Sequence, residues 1–134
     1  MPDLVKFDYD RTEHFYLLLK KEYSTYNVAM EVRHNSWLAE DSLTLMAKYD
    51  VAFVISQSGE KFPYLEMVTA KNIYVRFHGP DALYASSYSE EMLQYFADKF
   101  KAWVKEGHVV WAFFNNDVGG HAIVNAKRLI ELTS

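Results

Sequence analysis

Cysteine is absent from the 134-residue chain, so disulfide bonds, thiolate nucleophiles and thiolate metal ligands are excluded. Residues 1–6 lack the apolar segment of a secretory signal peptide, and no apolar run is long enough to span a bilayer. Basic residues are outnumbered, with 14 Lys and Arg against 18 Asp and Glu and a net charge of −4. Broad DNA or RNA binders are usually basic, so we expect no general nucleic-acid partner. The lack of a signal peptide and of a membrane-length apolar run leads us to expect a cytoplasmic protein without a membrane partner.

Hydrophobic residues make up half of the chain, and charged residues another 24%. This balance is typical of a folded chain with a buried core rather than of a disordered one. Aromatic residues account for 16%, which favours thick packing layers or a site with stacking surfaces. No linker or low-complexity stretch interrupts the sequence, so residues 1–134 are predicted to form a single domain.

Helical and strand patterns alternate along the chain, which predicts an α/β protein with a parallel sheet. Asp10 is the expected N-cap of the first helix, and Ser89 that of the third. Strands are predicted over residues 27–33, 51–56, 73–78 and 109–114, and helices over 10–23, 36–49, 89–107 and from 119 onwards. Residues 57–72 form a crossover with at most one short helical turn, around 64–68. Helical spacing predicts the apolar faces of the last two helices, formed by Phe96, Phe100 and Trp103 and by Ile123, Ala126, Leu129 and Ile130.

Each predicted strand ends in polar residues that are capable of chemistry. The carboxyl ends of parallel strands meet at one edge of a sheet, where α/β proteins place their active sites. Side chains alternate across a strand, so Glu31 and Arg33 share one face of the first strand. The same count puts Arg76 and His78 together on the third strand. We therefore expect these four side chains to project towards a common volume.

These four residues are the candidate catalytic group. Two guanidinium groups, from Arg33 and Arg76, would form a fork for a phosphate or a carboxylate. Glu31 and His78 could supply acid–base chemistry or metal ligands. The alternative interpretation is that Glu31, Arg33 and Arg76 form a buried ion network that fills a barrel interior.

Six further residues are candidate ligand contacts: His34, Trp37, Tyr88, Asn115, Asn116 and Asp117. Trp37 and Tyr88 offer rings on which a ligand ring could stack. His34 is either a ligand contact or a solvated loop residue. Residues 115–117 either contact a ligand or form an Asx turn that caps the last helix. The Gly119-Gly120 pair at the start of that helix could bring backbone N–H groups near an anion.

Familiar catalytic signatures are missing from the sequence. It contains no Walker A loop, no Gly-x-Gly-x-x-Gly, no His-Glu-x-x-His and no Gly-x-Ser-x-Gly elbow. No predicted helix carries two His residues at i and i+4, so the spacing defines no metal site. A divalent metal is compatible with the residues as a cofactor, but its identity stays unknown.

Four blocks stand out in order along the chain: Glu31-Val32-Arg33-His34-Asn35-Ser36-Trp37, Tyr74-Val75-Arg76-Phe77-His78-Gly79, Tyr88-Ser89-Glu90-Glu91-Met92-Leu93, and Phe114-Asn115-Asn116-Asp117 followed by Asn125-Ala126. Together they resemble the YecE-like family, also called domain of unknown function 72. The resemblance implies a TIM-barrel-like fold and brings no established biochemical activity. Fold analogy with barrel enzymes of the endonuclease IV and xylose isomerase type suggests a metal or phosphate site.

The length of the chain modifies this expectation, because a complete TIM barrel usually needs about 250 residues. The resemblance places residues 1–134 in the C-terminal portion of the family domain. We expect parallel βα units that form half of a TIM-barrel-like fold, with about four strands. Such a chain is a natural half, a truncated product or an excised fragment. Exposed sheet edges invite pairing with another copy, so a homodimer or a rearranged sheet is expected.

Three functional hypotheses follow from these residues. The first is an enzyme-type site, associated with phosphate or a metal, for a small molecule or a phosphodiester at the strand ends. The second is a non-catalytic binding module that holds a small anionic or ring-bearing ligand. The third is a structural half-barrel without activity of its own.

Overall fold

The computed structural model describes all residues from 1 to 134 and contains four strands and four α-helices. In chain order they are α1 (Tyr9–Glu22), β1 (Val28–Met30), α2 (Glu40–Lys48), β2 (Val51–Gln57), β3 (Asn72–Phe77), α3 (Glu90–Lys105), β4 (Val109–Phe114) and α4 (His121–Thr133). Short 3-10 helices span Asn35–Leu38 and Val118–Gly120. The predicted order of helices and strands is confirmed.

The four strands form one sheet in the order β1-β2-β3-β4, and every neighbouring pair is parallel. All carboxyl ends therefore lie along one edge of the sheet. Strands β1 and β4 each have a neighbour on one side only. The architecture is half of a TIM-barrel-like fold with four strands, as the sequence predicted.

The core lies between the helices and one face of this sheet. Strand β2 is buried along almost its whole length, which fits its nearly continuous apolar sequence. The aromatic stripe of α3 packs on Phe77, whose ring lies edge-on to Phe96 with 4.8 Å between centroids. Phe96, Phe100 and Trp103 are all buried, so the predicted inner face of α3 is confirmed.

The opposite face of the sheet is not covered by helices, and we call it the inner face. Strand alternation places on it Ala29, Val54, Tyr74, Trp111 and Phe113. On β4 this face is open, since Trp111 and Phe113 are 49% and 41% exposed. The sheet therefore has one packed face and one face with exposed aromatic rings.

Several element boundaries differ from the prediction. Helix α1 begins at Tyr9 and is capped by Asp8, which accepts a hydrogen bond from the Arg11 N–H, so the cap lies two residues before the predicted one at Asp10. The predicted second helix is divided at Ala39, whose extended backbone (φ −65°, ψ 147°) separates the 3-10 helix from α2. No helical turn forms between β2 and β3. Strand β1 ends at Met30, three residues before the predicted end.

The inner face predicted for α4 is only partly correct. Leu129 is buried, but Ile123 and Ile130 are each 65% exposed. These two side chains lie on the side of α4 that has no neighbouring element in the chain. None of the four α-helices combines the length and apolar character that crossing a bilayer requires.

Candidate functional site

The Glu31 carboxylate is the centre of a polar cluster at the carboxyl ends of the strands. Its Oε1 accepts hydrogen bonds from Ser56 Oγ and His78 Nε2, both at 2.8 Å, and lies 3.1 Å from the Arg33 guanidinium. Its Oε2 accepts a hydrogen bond from Arg76 at 2.5 Å. Glu31 and Arg33 follow β1, Ser56 belongs to β2, and Arg76 and His78 lie on and after β3. The predicted convergence of Glu31, Arg33, Arg76 and His78 is therefore what the structure shows.

Arg76 is held from two sides. One guanidinium nitrogen donates to Glu31, while Nε and Nη2 donate to the Asn115 side-chain oxygen at 3.1 and 2.9 Å. Asn115 follows β4 and Glu31 follows β1, so residues from the two edge strands hold the guanidinium group of Arg76 on β3. The Asn115 amide carries no charge. The only negative charge that pairs with Arg76 is therefore the Glu31 carboxylate.

Arg33 makes a less complete set of contacts. Its Nη1 approaches Glu31 at ion-pair distance but is not aligned for a hydrogen bond, and this buried nitrogen has no hydrogen-bond partner. The guanidinium carbon lies 3.5 Å from the centre of the Phe62 ring, in a cation–π contact. Arg33 therefore keeps unused donors close to the Glu31 carboxylate.

Burial would by itself raise the pKa of the Glu31 carboxyl. Hydrogen bonds from His78 and Ser56 and the charges of Arg33 and Arg76 outweigh it and lower the pKa to about 2. One carboxylate thus faces two guanidinium groups. The cluster carries an excess of one positive charge even when His78 is neutral.

His78 is almost completely buried, with its ring edge-on to Phe62 and Tyr84. Because Glu31 is ionised and can only accept, Nε2 carries a proton and donates a hydrogen bond to the carboxylate. In a neutral imidazole Nδ1 is then an acceptor, and Nδ1 has no partner in the structure. The Glu31 carboxylate therefore fixes both the tautomer and the orientation of the ring.

Two clefts border the cluster. Glu31 and Arg76 line a trough of about 550 Å³ along the inner face, together with Tyr74 and Trp111. Arg33 lines a second cleft of about 630 Å³, bounded by His34, Asn35, Leu38 and the loop residues Glu60, Lys61, Phe62, Pro63 and Tyr64. The two guanidinium groups are therefore accessible from different sides.

The structure gives His34 a capping role as well as a place in the second cleft. Its Nδ1 accepts a hydrogen bond from the Ser36 N–H at 3.1 Å, at the start of the 3-10 helix. Asn115 is part of the cluster through Arg76. Of the six predicted ligand contacts, His34 and Asn115 are therefore the two that lie beside the Glu31 cluster.

The rings of Trp37 and Tyr88 lie in the core rather than in a cleft. Trp37 is 3% exposed, donates its indole N–H to the Val5 carbonyl at 2.8 Å and packs edge-on against Phe7. Tyr88 is 4% exposed, and its hydroxyl donates to Gln57 and accepts from the Gly79 N–H. Burial also raises the pKa of the Tyr88 hydroxyl. Packing accounts for both positions, and neither ring offers a free face to a ligand.

Neither the Asn116 nor the Asp117 side chain makes a hydrogen bond or ion pair with the cluster. Asn116 is fully buried and donates to the Ser86 carbonyl and the Asn125 side chain at 2.8 and 2.9 Å. Asp117 precedes the second 3-10 helix and makes no side-chain cap bond, and Gly120 occupies the N-cap of α4. The alternative prediction of an Asx cap on the last helix is therefore wrong.

The residues present do not fit a divalent metal. No three His, Asp or Glu side chains come together in a way that could hold one. The Glu31–His78 pair offers two donors, but both oxygens of Glu31 already accept hydrogen bonds, and two guanidinium groups flank them. Neighbouring cations would repel a metal ion at this position.

Two members of the site were not among the predicted site residues. Ser56 is buried at the end of β2 and faces the same side as Glu31, so the alternation rule applied to β2 would have found it. Phe62 lies in the loop between β2 and β3, where no periodicity signals its contact with Arg33. Loop residues of this kind are placed by tertiary packing alone.

Comparison with known proteins identifies relatives with this fold. Residues 1–134 match the family model "Protein of unknown function DUF72". No match was found among curated proteins. A crystal structure of a DUF72 family protein from Thermotoga maritima has 27% sequence identity and a TM-score of 0.83, with 98% of this chain and 55% of that chain covered.

A DUF72 family protein from Enterococcus faecalis has 19% identity and a TM-score of 0.85, over 99% of this chain and 56% of that chain. At this identity the likeness concerns the fold alone. The chain spans little more than half the length of either solved relative.

Proposed function

Because this chain belongs to the DUF72 family, whose biochemical function is unknown, we propose from its geometry that the Glu31 cluster binds a small anionic ligand. The ligand class is a phosphate ester or a carboxylate, held by Arg33 in the cleft that it lines at the carboxyl ends of the strands. Guanidinium groups bind such anions through two parallel N–H donors. A cytoplasmic location belongs to the same proposal, and fractionation of cells that express the protein would test it.

The observation that carries this proposal is the charge balance of the cluster. Two guanidinium groups share one carboxylate, and a buried Arg33 nitrogen has no hydrogen-bond partner. An anion bound beside Arg33 would supply the missing negative charge. Lys61 lines the same cleft as Arg33 and adds a further cation near its mouth, although Glu60 lies beside it.

Hydrolysis of a phosphodiester is a second candidate, and the His78–Glu31 pair supports it. A carboxylate that holds a histidine in one tautomer is the arrangement of many general bases. The burial of His78, at 1% exposure, keeps its ring away from bulk solvent. We therefore place anion binding first and turnover second.

Isothermal titration calorimetry with inorganic phosphate and with a sugar phosphate tests the proposal. Arg33→Gln removes one of the two guanidinium groups and keeps a long polar side chain. We expect at least tenfold weaker binding than wild type, which corresponds to about 1.4 kcal/mol. Incubation with the diester bis(4-nitrophenyl) phosphate separates the two candidates: recovery of the diester unchanged favours a binding module, whereas release of 4-nitrophenol favours the phosphodiester hydrolase.

Arg128→Gln is the matched control. Arg128 is likewise ion-paired, with Glu90 and Glu131, but it lies on α4 and contacts no residue of the cluster. Arg128→Gln lowers the net charge of the protein by one unit, as Arg33→Gln does. Equal loss of binding in both variants would show that overall charge, and not this site, attracts the anion. Absence of binding by the wild type would leave the structural half-barrel as the best description.

A further inference from the structure

Tyr64 presents an exposed aromatic ring to the cleft that Arg33 lines. The residue is 42% exposed, and it stands between this cleft and a groove of about 300 Å³ that Tyr95 lines on the other side. The nearby Phe62 ring already contacts the Arg33 guanidinium, whereas no aromatic ring or cation packs on the Tyr64 ring. An aromatic ring without such a partner, at the wall of a cleft, is a surface on which another planar ring can stack.

The Tyr64 ring is held in position by its hydroxyl group and by the residue before it. Its Oη donates a hydrogen bond to the Glu66 carboxylate. The same carboxylate accepts a hydrogen bond from Tyr95 Oη at 2.9 Å and pairs with Lys99, and both of these residues lie on α3. Pro63 restricts the backbone immediately before the ring. Tyr64 is therefore oriented before a ligand arrives, which reduces the entropy lost on binding.

The spacing between Arg33 and Tyr64 suits a ligand with an anionic end and a ring end. The Arg33 guanidinium carbon lies 3.5 Å from the centre of the Phe62 ring. Phe62 and Tyr64 are two residues apart in the chain, so their Cα atoms are separated by at most about 7 Å. The cleft encloses about 630 Å³, a volume typical of sites for ligands much larger than a phosphate ion. A bare phosphate at Arg33 would therefore leave most of the cleft empty.

Other polar residues of this cleft suit a neutral spacer between the two ends of such a ligand. Asn35 and Glu60 line the cleft, and neither side chain makes a hydrogen bond or an ion pair with the rest of the chain. Their amide and carboxylate oxygens are acceptors. Hydroxyl groups, such as those of a sugar, would donate to them.

We infer, on the basis of the proposed function, that the anion bound by Arg33 carries a planar aromatic ring and that this ring stacks on Tyr64. Nucleoside monophosphates and aryl phosphates both have this chemistry. The two rings that the sequence suggested for stacking, Trp37 and Tyr88, are buried in the core. Tyr64 takes that role instead and determines which anions the cleft prefers, whereas Arg33 provides the charge that binds them.

Isothermal titration calorimetry with two matched pairs of ligands tests this inference. Adenosine 5′-monophosphate is compared with ribose 5-phosphate, and phenyl phosphate with methyl phosphate, so that each pair differs by a ring. In at least one pair the ring should strengthen binding at least about fivefold, which corresponds to about 1 kcal/mol of stacking. A gain in the first pair alone identifies a ligand with a sugar spacer, and a gain in the second pair identifies an aryl ester.

Three variants assign the gain to the Tyr64 ring. Tyr64→Leu removes the ring, so it should abolish the gain and leave the affinity for ribose 5-phosphate unchanged. Tyr64→Phe keeps the ring without the hydrogen bond to Glu66, so it should keep most of the gain. Tyr95→Leu is the matched control, because Tyr95 also donates to Glu66 but does not line the cleft of Arg33. Far-UV circular dichroism of each purified variant establishes that it is folded.

Three results would overturn the inference. They are equal affinity within both ligand pairs, a gain that persists in Tyr64→Leu, and a gain that Tyr95→Leu removes as completely as Tyr64→Leu does. All three leave the proposed function standing, because binding of ribose 5-phosphate depends on Arg33 and not on Tyr64. Absence of any anion binding by the wild type is a different outcome, which contradicts the proposed function and this inference together.

Discussion

Replacement of Glu31 by glutamine should destabilise the protein by about 3 kcal/mol at neutral pH. The pKa of Glu31 lies at about 2 in the folded protein, against 4.5 for the free side chain, and each unit corresponds to about 1.4 kcal/mol. A glutamine side chain has nearly the shape of the glutamate without its charge. The substitution would therefore leave Arg33 and Arg76 without a counter-charge in a partly buried site.

The pH dependence of this effect is the sharper test. A carboxyl whose pKa is lowered on folding stabilises the protein above its unfolded pKa, and the contribution is lost as the pH falls through the folded pKa. The difference between wild type and Glu31→Gln should therefore be constant above about pH 5 and shrink between pH 4.5 and about 2. Urea unfolding at pH 7, 4 and 3 measures it.

Glu90→Gln is the control, because Glu90 also pairs with an arginine but lies exposed on the surface of α3. It should change the free energy of unfolding little at any pH. If Glu31→Gln were as stable as wild type at pH 7, the ionised Glu31 carboxylate would not stabilise the fold. A destabilisation that did not decrease on acidification would show that its charge is not the cause.

Two other predictions concern the hydrogen bonds around the site. Ser56→Ala should reduce stability by about 1.5–3 kcal/mol in urea unfolding, because a buried carboxylate loses a charged hydrogen bond. A loss below about 0.5 kcal/mol would mean that water replaces the hydroxyl. Tyr88→Phe should cost about 1–2 kcal/mol, since it leaves the buried Gly79 N–H without an acceptor. Faster hydrogen exchange at the Gly79 amide would confirm this cause, and unchanged exchange would contradict it.

The fold was largely predictable from the sequence because its signals are local. Strand β2 opens with an uninterrupted apolar run over residues 51–55, and the apolar stripe on α3 has helical spacing, so both elements were predictable. The helix boundaries were less predictable. Whether Asp8 or Asp10 caps α1 depends on one hydrogen bond, to Arg11, that nearby sequence does not determine. The extended backbone at Ala39 likewise carries no signal in the sequence.

The site was predictable to the extent that it follows strand alternation. Glu31, Arg76 and His78 converge because side chains two residues apart share a face and parallel strands end together. Trp37 shows where this reasoning stops, since an aromatic residue next to a site motif can equally belong to the core. Phe62 was missed because only tertiary packing brings its loop against Arg33.

The central claim is that the Glu31 cluster has spare positive charge that a phosphate neutralises. A crystal structure of the wild-type protein with phosphate in solution tests it most directly. We expect a phosphate within hydrogen-bond distance of Arg33, with the Arg76–Glu31 contact retained. A phosphate-free cluster, with anions bound only elsewhere on the surface at saturating phosphate, would contradict it.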